Sequence, residues 1–206
     1  MKKTVISALV HCCLMIFNIS AFSQERNEAK TLFGNGNPIT TKNIGVFVAP
    51  AMGFTQMDGS AASLFNLRAG LSLKDKISAG VYFGTSLNQV RPKSETLPDV
   101  YMDYWTIGGF TEYTVFSKKV VHLTLPLYFG YGEVQMDNAN GDAGLGEANF
   151  IQIEPSALLE VNLHKHIRLN AGAGYRIVGQ MSYRNFNQSD ISGFTGYIGL
   201  KFGVFR

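Results

Sequence analysis

Residues 65–73, with the sequence FNLRAGLSL, alternate strictly between two kinds of side chain. The odd-numbered positions are apolar, whereas the even-numbered positions are polar or glycine. Successive side chains of a β-strand point to opposite faces of the sheet. The stretch therefore predicts a strand with one apolar face and one polar face.

The same alternation recurs along most of the chain. It can be followed position by position in residues 77–85, 121–131, 151–161 and 167–177. Residues 45–53, 101–116 and 194–205 complete a set of eight predicted strands. Each strand is near or above the roughly 9–11 residues with which a tilted strand crosses a bilayer.

The connections between these strands alternate in length. The short turns are 74–76, 117–119 and 163–165, and the longer polar loops are 87–100, 135–149 and 182–192. The first connection, around residues 56–60, departs from this scheme because it is short. Short turns at one end and long loops at the other are typical of outer-membrane barrels. The sequence thus predicts an all-β protein, an eight-stranded antiparallel up-and-down transmembrane β-barrel.

The first 42 residues have a different character. Lys2 and Lys3 precede an apolar run of about 15 residues, which is shorter than the roughly 20 that span a bilayer as a helix. Small residues then lead to Ser23, so residues 1–23 are predicted to be a signal peptide cleaved after Ser23. Residues 24–42 are predicted to form a polar periplasmic leader, and residues 43–206 the barrel in the outer membrane.

Composition excludes several classes of function. Both cysteines, Cys12 and Cys13, lie in the predicted signal peptide, so the mature chain would have neither disulfides nor thiol catalysis. Without Lys2 and Lys3, 16 basic residues face 15 acidic ones, and this balance predicts no nucleic-acid partner.

The polar face distinguishes a membrane barrel from a soluble lipid-binding barrel, since both have one apolar face. In a soluble barrel the polar face meets water and is rich in charges, whereas here it is mostly Gly, Ser, Asn and Tyr. Its few charged groups are predicted to form a lumenal polar network of Arg68, Glu112, His122, Glu154, Glu160, Arg168, Arg176 and Lys201.

Specific pairings follow from the predicted hairpins. Glu160 and Arg168 are equidistant from His164 and are expected directly opposite each other, whereas Glu154 and Arg176 are expected one diagonal step apart. The side chains of Arg68, Glu112 and Lys201 are expected at similar heights. Charges in a narrow, nearly dry lumen must be paired, so the lumen is predicted to be filled and an open pore is disfavoured.

Aromatic residues near the strand ends predict belts at the two membrane interfaces. The belt towards the long loops comprises Tyr101, Tyr104, Trp105, Phe129 and Tyr131, and the belt towards the short turns comprises Tyr113, Phe116, Phe202 and Phe205. Phe205 shares the lumenal parity of Lys201. Pro50, Pro126 and Pro155 fall inside predicted strands, where bulges are expected because proline lacks a backbone donor.

Several stretches together resemble a family of small outer-membrane β-barrel proteins of Bacteroidetes-type bacteria, whose members generally have no assigned function. They are 108–113 (GGFTEY), 121–126 (VHLTLP), 130–132 (GYG), 153–155 (IEP), 160–162 (EVN), 172–176 (GAGYR), 189–194 (SDISGF) and 201–203 (KFG). The resemblance covers about residue 50 to the end and implies the OmpA-type eight-stranded architecture, with no catalytic residues. Phe205 also looks like the aromatic assembly signal that such barrels present to the barrel-assembly machinery, although Arg206 follows it.

Three features of the sequence are candidate sites of chemistry. His122 with Glu112, expected one diagonal step away, is the candidate dyad of a lipid-modifying enzyme, but a filled lumen would deny it substrate. His164 and His166 lie near a short turn and are expected to be solvated. Residues 137–142 resemble a calcium loop in which Ala139 replaces an oxygen ligand. No metal, cofactor or catalytic residue is therefore predicted.

The leading hypothesis is a non-enzymatic barrel with a structural or surface-interaction role through its extracellular loops. The expected partners are outer-membrane lipids, the barrel-assembly machinery and an extracellular or periplasmic protein. The alternatives are an outer-membrane lipid-modifying enzyme and a soluble periplasmic lipid-binding barrel.

Overall fold

A computed structural model describes residues 43–97, 99–138, 144–183 and 186–205. The predicted signal peptide and leader lie outside the described residues. So does most of the segment that resembles a calcium loop, of which Asp137 and Asn138 belong to a strand.

Eight antiparallel strands close into a barrel, as the alternation predicted. They are β1 (Ile44–Met57), β2 (Ser60–Leu73), β3 (Ile77–Ser86), β4 (Val100–Val115), β5 (Val121–Asn138), β6 (Gly144–His164), β7 (Ile167–Val178) and β10 (Gly193–Val204). Around the ring the order is β1-β10-β7-β6-β5-β4-β3-β2, so each strand pairs with its neighbours in the chain and β10 closes on β1. Between β7 and β10 lie the short hairpin β8 (Ser182–Tyr183) and β9 (Phe186–Asn187) and the one-turn helix α1 (Gln188–Ile191).

Short turns and long connections occupy opposite ends of the barrel. The turn end contains residues 74–76, 116–120 and 165–166, together with Asn43 and Phe205 at the ends of the described barrel. The loop end contains the described residues 58–59, 87–97, 99, 179–183 and 186–192, together with Asn138 and Gly144 at the ends of β5 and β6. Asp58 and Gly59 both have positive φ, 46° and 69°, which gives the two-residue hairpin turn between β1 and β2.

Strands β5 and β6 are longer than the sequence predicted. Residues 135–149 were expected to form a loop, but β5 continues to Asn138 and β6 begins at Gly144. The two strands have 18 and 21 residues, well beyond the roughly 9–11 that a bilayer requires. This hairpin therefore extends past the membrane at the loop end.

The prediction of bulges at the prolines is wrong. Pro50 pairs with Leu67 and Pro126 with Glu112, and the register is the same on both sides of each proline. A proline removes one ladder donor, yet its φ suits an extended strand, so pairing continues without an inserted residue. The irregularities lie instead between Gln135 and Asp137 and between Asn162 and His164.

The exterior of the barrel is apolar, and its interior holds the charges. Outward-facing side chains exposed on the barrel wall include Val46, Val48, Leu71, Ile77, Val81, Ile107, Val121, Leu123, Leu125, Leu127, Phe129, Ile151, Ile153, Leu159, Ile177, Ile198 and Phe202. A soluble lipid-binding barrel would have the opposite arrangement, with apolar side chains inside. The described residues contain no helix that is long and apolar enough to cross a membrane.

Candidate functional site

Four charged side chains form a chain of ion pairs across the lumen. Arg68 Nη1 lies 3.0 Å from Glu112 Oε2, and Lys201 Nζ lies 2.7 Å from both Glu112 Oε1 and Glu160 Oε1. All four residues are buried. Lys201 is on β10 and Glu112 on β4, which stand at opposite points of the eight-strand ring. The lumen is therefore narrow enough for the side chains of Lys201 and Glu112 to meet across it.

His122 extends this chain, but not through the predicted partner. Its Nε2 lies 3.1 Å from Glu160 Oε2, and its Nδ1 lies 3.3 Å from the carbonyl oxygen of Lys119. Glu160 is directly opposite His122 in the ladder between β5 and β6, whereas Glu112 is opposite Pro126. The predicted dyad of His122 and Glu112 is wrong because the hairpin register places Glu112 four residues from the position opposite His122.

Arg168 is also displaced from its predicted position. The turn between β6 and β7 is residues 165–166, so Arg168 lies opposite Asn162 and not opposite Glu160. Its Nη2 donates to Asp75 Oδ2 at 3.1 Å, and its Nη1 is 3.9 Å from Glu160 Oε2. Its guanidinium also stacks over the ring of Phe205, 3.6 Å from the ring centre.

Arg176 connects the lumen to the loop end. Its Nε donates to the carbonyl oxygen of Ile191 at 2.9 Å, and its Nη2 donates to Thr55 Oγ1 at 3.4 Å. The neighbouring pair Ile153 and Ile177 places Glu154 directly opposite Arg176, where a diagonal offset was predicted. Glu154 accepts a hydrogen bond from the hydroxyl of Tyr197.

A network of uncharged, hydrogen-bonded side chains lies between the ion pairs and the loop end. Tyr104 Oη donates to Gln152 Oε1 at 2.7 Å, Gln152 Nε2 donates to Tyr82 Oη at 3.1 Å, and Tyr82 Oη lies 3.0 Å from Thr106 Oγ1. Gly130 leaves the room for Tyr82, because a Cβ at Gly130 would lie 2.6 Å from the Tyr82 hydroxyl. The predicted place of Tyr104 in the aromatic belt is wrong, because its side chain is buried in the lumen. Its even number, shared with Thr106 and Glu112 on β4, could have indicated this inward position.

The cavity between these groups has a volume of about 20 Å³, close to the space one water molecule needs. Asn66, Asn170 and Arg176 line it, and each has a buried polar atom without a protein partner. Side chains thus fill the middle of the lumen.

The lumen at the loop end is apolar, which the sequence reasoning missed. We call this cluster the loop-end plug, and it consists of Met57, Ala62, Leu64, Val90, Val100, Met102, Tyr104, Val134, Met136, Phe150, Val178, Met181 and Ile191. The strand members have the lumenal parity of their strands, so the alternation could have located them. The lumen is therefore polar only in its middle and at the turn end.

The connection between β3 and β4 is tied to the rim of the barrel. Asp58 Oδ2 accepts hydrogen bonds from the backbone nitrogen and the hydroxyl of Ser94 at 2.6 and 2.7 Å. Asn88 Nδ2 donates to the carbonyl oxygen of Ala61 at 3.1 Å. Val90 is buried in the plug and forms an isolated β-bridge with Met102.

The connection between β7 and β10 is fixed in a comparable way. Asn187 and Asp190 form a capping box at the start of α1, and the side chain of Ile191 enters the plug. The backbone nitrogen of Val178 donates to Ser192 Oγ at 3.0 Å, and that of Asp58 donates to the carbonyl oxygen of Asp190 at 2.6 Å. Tethers and buried side chains thus hold both described long connections.

Three solved structures share this architecture at low sequence identity. Neisserial surface protein A (NspA) has 13% identity and a TM-score of 0.58, and the match covers 78% of this chain and 96% of that one. The attachment invasion locus protein Ail of Yersinia pestis, solved with the heparin analogue sucrose octasulfate, has 16% identity, a TM-score of 0.50 and coverages of 78% and 97%. A major outer membrane protein from Thermus thermophilus has 9% identity, a TM-score of 0.54 and coverages of 78% and 98%.

The chain folds as an outer-membrane β-barrel. Its apolar exterior matches that fold, and the outer membrane is its location. No protein-family model matches the sequence, and no curated protein matches it. Of what the family resemblance implied, the outer-membrane barrel architecture is therefore supported. The Bacteroidetes-type origin and the OmpA type stay predictions.

Most of the predicted belt residues lie on the exterior of this outer-membrane barrel. Phe129, Tyr131, Tyr113 and Phe202 are exposed, and Tyr101 and Trp105 are half-buried on the outward face of β4. Trp105 Nε1 donates to Glu133 Oε1 at 3.1 Å. A role in anchoring the barrel at the interfaces stays a prediction for these six residues.

Phe205 does not belong to the belt. Its ring turns inward against Arg168, as the lumenal parity of Lys201 indicates, and packs beside a second apolar cluster that contains Phe47 and Phe110. Phe116 is exposed in the turn between β4 and β5.

The two other histidines of the described residues lie at the turn end. The rings of His164 and His166 are 5.8 Å apart, and both residues are exposed. In the described part of the chain, no group of three or more His, Cys, Asp or Glu side chains is placed to hold a metal ion.

Proposed function

We propose that this outer-membrane barrel is a non-enzymatic surface protein whose loop end binds a macromolecular partner outside the cell. The observation that carries the proposal is that the described loops are held in place by buried contacts, as the plug and the tethers at Asp58 and Ser192 show. A surface ordered before binding loses less conformational entropy when a partner docks.

The extended β5–β6 hairpin provides the surface. On β5 the outward face is apolar up to Tyr131 and then becomes polar at Glu133, Gln135 and Asp137. The opposite face of the same segment packs Val134 and Met136 into the plug. A sheet with a polar outer face and a buried inner face, standing beyond the apolar band, supports exposure to water and not to lipid.

The charge of the loop end indicates the chemistry of the partner. The acidic side chains that are half-buried or exposed there are Asp58, Asp99, Asp103, Glu133, Asp137, Glu147 and Asp190, whereas the described basic ones are Arg91 and Lys93. The heparin analogue bound by the Yersinia protein is a polyanion, which these carboxylates would repel. The partner proposed for this barrel is therefore a protein with a basic surface.

The position of His122 supports the non-enzymatic part of the proposal. Both ring nitrogens have partners, Glu160 and the carbonyl oxygen of Lys119, and the side chain has no exposed surface. A lipid substrate would have to displace the ion-pair chain to reach it. We expect His122→Ala to leave the lipid A and phospholipid profiles of the cell unchanged, and an altered profile would overturn the non-enzymatic assignment.

Site-specific photocrosslinking in intact cells tests the binding role. A photoreactive amino acid at Glu147 should produce a protein adduct that weakens when Asp103, Glu133 and Asp137 are replaced by their amides. The matched control carries the photoreactive group at Val81, which is exposed on the apolar band. An adduct of equal intensity at Val81, or no loss with the amide variants, contradicts the proposal.

A further inference from the structure

The turn end of the barrel carries a rim of lysines. Lys74, Lys76, Lys118, Lys119 and Lys165 occupy its three turns, and all five are exposed. The sequence of these turns contains one acidic residue, Asp75, whose carboxylate is engaged by Arg168 inside the barrel mouth. The exposed charge at this end is therefore of a single sign.

Large apolar side chains stand between these lysines. Phe116, Val120 and Leu163 are 65%, 66% and 59% exposed, more than most residues of the lipid-facing band. Lys119 Nζ lies 4.7 Å from the centre of the Phe116 ring, so an ammonium group and an aromatic ring share one patch of surface. Water alone does not favour such exposure, whereas the boundary between acyl chains and headgroups accommodates both groups.

The position of the rim agrees with this environment. Val120 immediately precedes the outward-facing Val121 of β5, and Phe116 and Leu163 lie within three residues of Tyr113 on β4 and Val161 on β6. The lysines are thus located where the apolar band ends. The loop end also exposes Leu87 and Leu97, but its described residues include one exposed lysine, Lys93, beside an excess of acidic side chains.

We propose that the lysine rim binds the phosphate groups of anionic lipid headgroups in the leaflet that the turn end enters. Phe116, Val120 and Leu163 would lie among the upper acyl chains, while the lysine stems extend along them and place their ammonium groups at the level of the phosphates. The rim therefore selects anionic over zwitterionic lipids around the barrel. This inference requires only that the barrel lies in the membrane, and it is independent of the partner proposed for the loop end.

Electron spin resonance of spin-labelled lipids measures this selection directly. The full chain is reconstituted into phosphatidylcholine vesicles with a trace of labelled phosphatidylglycerol or labelled phosphatidylcholine. We expect the wild type to prefer phosphatidylglycerol by about threefold or more and to lose most of the preference in high salt. Equal association of the two lipids would overturn the proposal.

Two variants assign the preference to the rim. Replacing all five lysines by glutamine should abolish it, whereas the matched control with Arg91→Gln and Lys93→Gln at the loop end should retain it. Heat-modifiable migration checks that each variant is folded, and the double variant Lys118→Gln/Lys119→Gln replaces the fivefold one if the latter does not fold. A preference retained by the folded rim variants overturns the assignment.

A soluble anion is the other possible source of phosphate groups. Inorganic phosphate added to the detergent-solubilised barrel should not raise its unfolding temperature, whereas phosphatidylglycerol added to the micelles should raise that of the wild type and not that of the rim variant. Equal stabilisation by inorganic phosphate would show a binding site for a free anion and overturn the lipid proposal.

Discussion

The turn half and the loop half of the same lumen are filled differently, since the turn half holds ion pairs beside an aromatic cluster and the loop half is apolar. Near the turns, Glu112 and Glu160 are each shared by several cationic groups, and Lys201 connects the two carboxylates. Near the loops, Met57, Met102 and Met136 belong to a plug without charged members. A barrel lumen therefore tolerates either chemistry, provided that its volume is filled and its charges are paired.

The two halves differ in what they specify. An ion pair across the lumen requires particular partners on particular strands, and removing one partner leaves a buried charge without compensation. The plug depends mainly on volume, and methionine adapts readily to irregular space. Substitutions in the charged half should therefore cause large losses of stability that depend on which partner is also replaced. Substitutions in the apolar half should cause smaller losses that follow the volume removed.

The largest effect is expected from Glu160→Ala. This change removes the carboxylate that Lys201 and His122 share, and a broken buried pair costs about 3–5 kcal/mol. Urea unfolding of the barrel in lipid vesicles measures the loss.

Second substitutions identify the partner of Glu160. Adding Lys201→Met should recover part of the stability. The single variant leaves two cations, Lys201 and Arg68, on the one carboxylate of Glu112, and the second change removes this excess positive charge. Adding Arg168→Met should not, since Arg168 has its own partner in Asp75. Recovery with Arg168→Met in place of Lys201→Met would contradict the network described above.

Truncation within the plug should cost less. Met136→Ala removes a fully buried side chain, and we expect a loss of about 2–3 kcal/mol in the same unfolding measurement. Met52→Ala on the outward face of β1 is the control, with a loss below about 1 kcal/mol. Equal losses at the two methionines would mean that the plug does not contribute to stability as a packed core.

Loss of the loop tether should act locally. Asp58→Gly keeps the positive φ of this turn but removes the acceptor of both Ser94 hydrogen bonds. Trypsin should then cleave after Lys93 about tenfold faster, which corresponds to about 1.4 kcal/mol of local stability. The control Asp99→Gly also lies at positive φ and is exposed, and an equal acceleration there would contradict the tether.

The smallest effect is expected at the barrel mouth. Phe205→Leu removes the ring over Arg168, and a partly buried cation–π contact contributes about 1 kcal/mol. Phe202→Leu on the lipid-facing side should leave the free energy of unfolding nearly unchanged. A larger loss of unfolding free energy for Phe202→Leu than for Phe205→Leu would indicate that Phe205 faces the membrane.

Much of the fold could be predicted because the strand period is local. The alternation in residues 65–73 or 167–177 assigns each side chain to the lumen or the lipid without knowledge of any neighbour. The same parity would have placed Tyr104 and Phe205 inside the barrel, where the structure has them. Those two errors came from reading aromatic character in place of parity.

Partners within the site could not be predicted in the same way. The pairing of Glu160 with Lys201 joins β6 and β10, which are not neighbours in the ring. The loss of the predicted opposition to Arg168 depends on a turn one residue further along the chain. A shift of one residue in the centre of a hairpin changes each cross-strand partner by two. Proline at residue 50 or 126 likewise had no effect on register, because a missing donor interrupts a ladder without adding a residue.

The sequence by itself determined the barrel, the inward face of each strand and the alternation of turns and loops, because these follow from periods and lengths along the chain. Only the tertiary structure decided that Lys201 reaches Glu112 from the opposite wall, that Glu160 is the partner of His122, and that an apolar plug supports the loop end. The partner of His122 depends on the register of the β5–β6 hairpin. The other two depend on how the eight strands close into a ring, since closure brings together side chains far apart in the sequence.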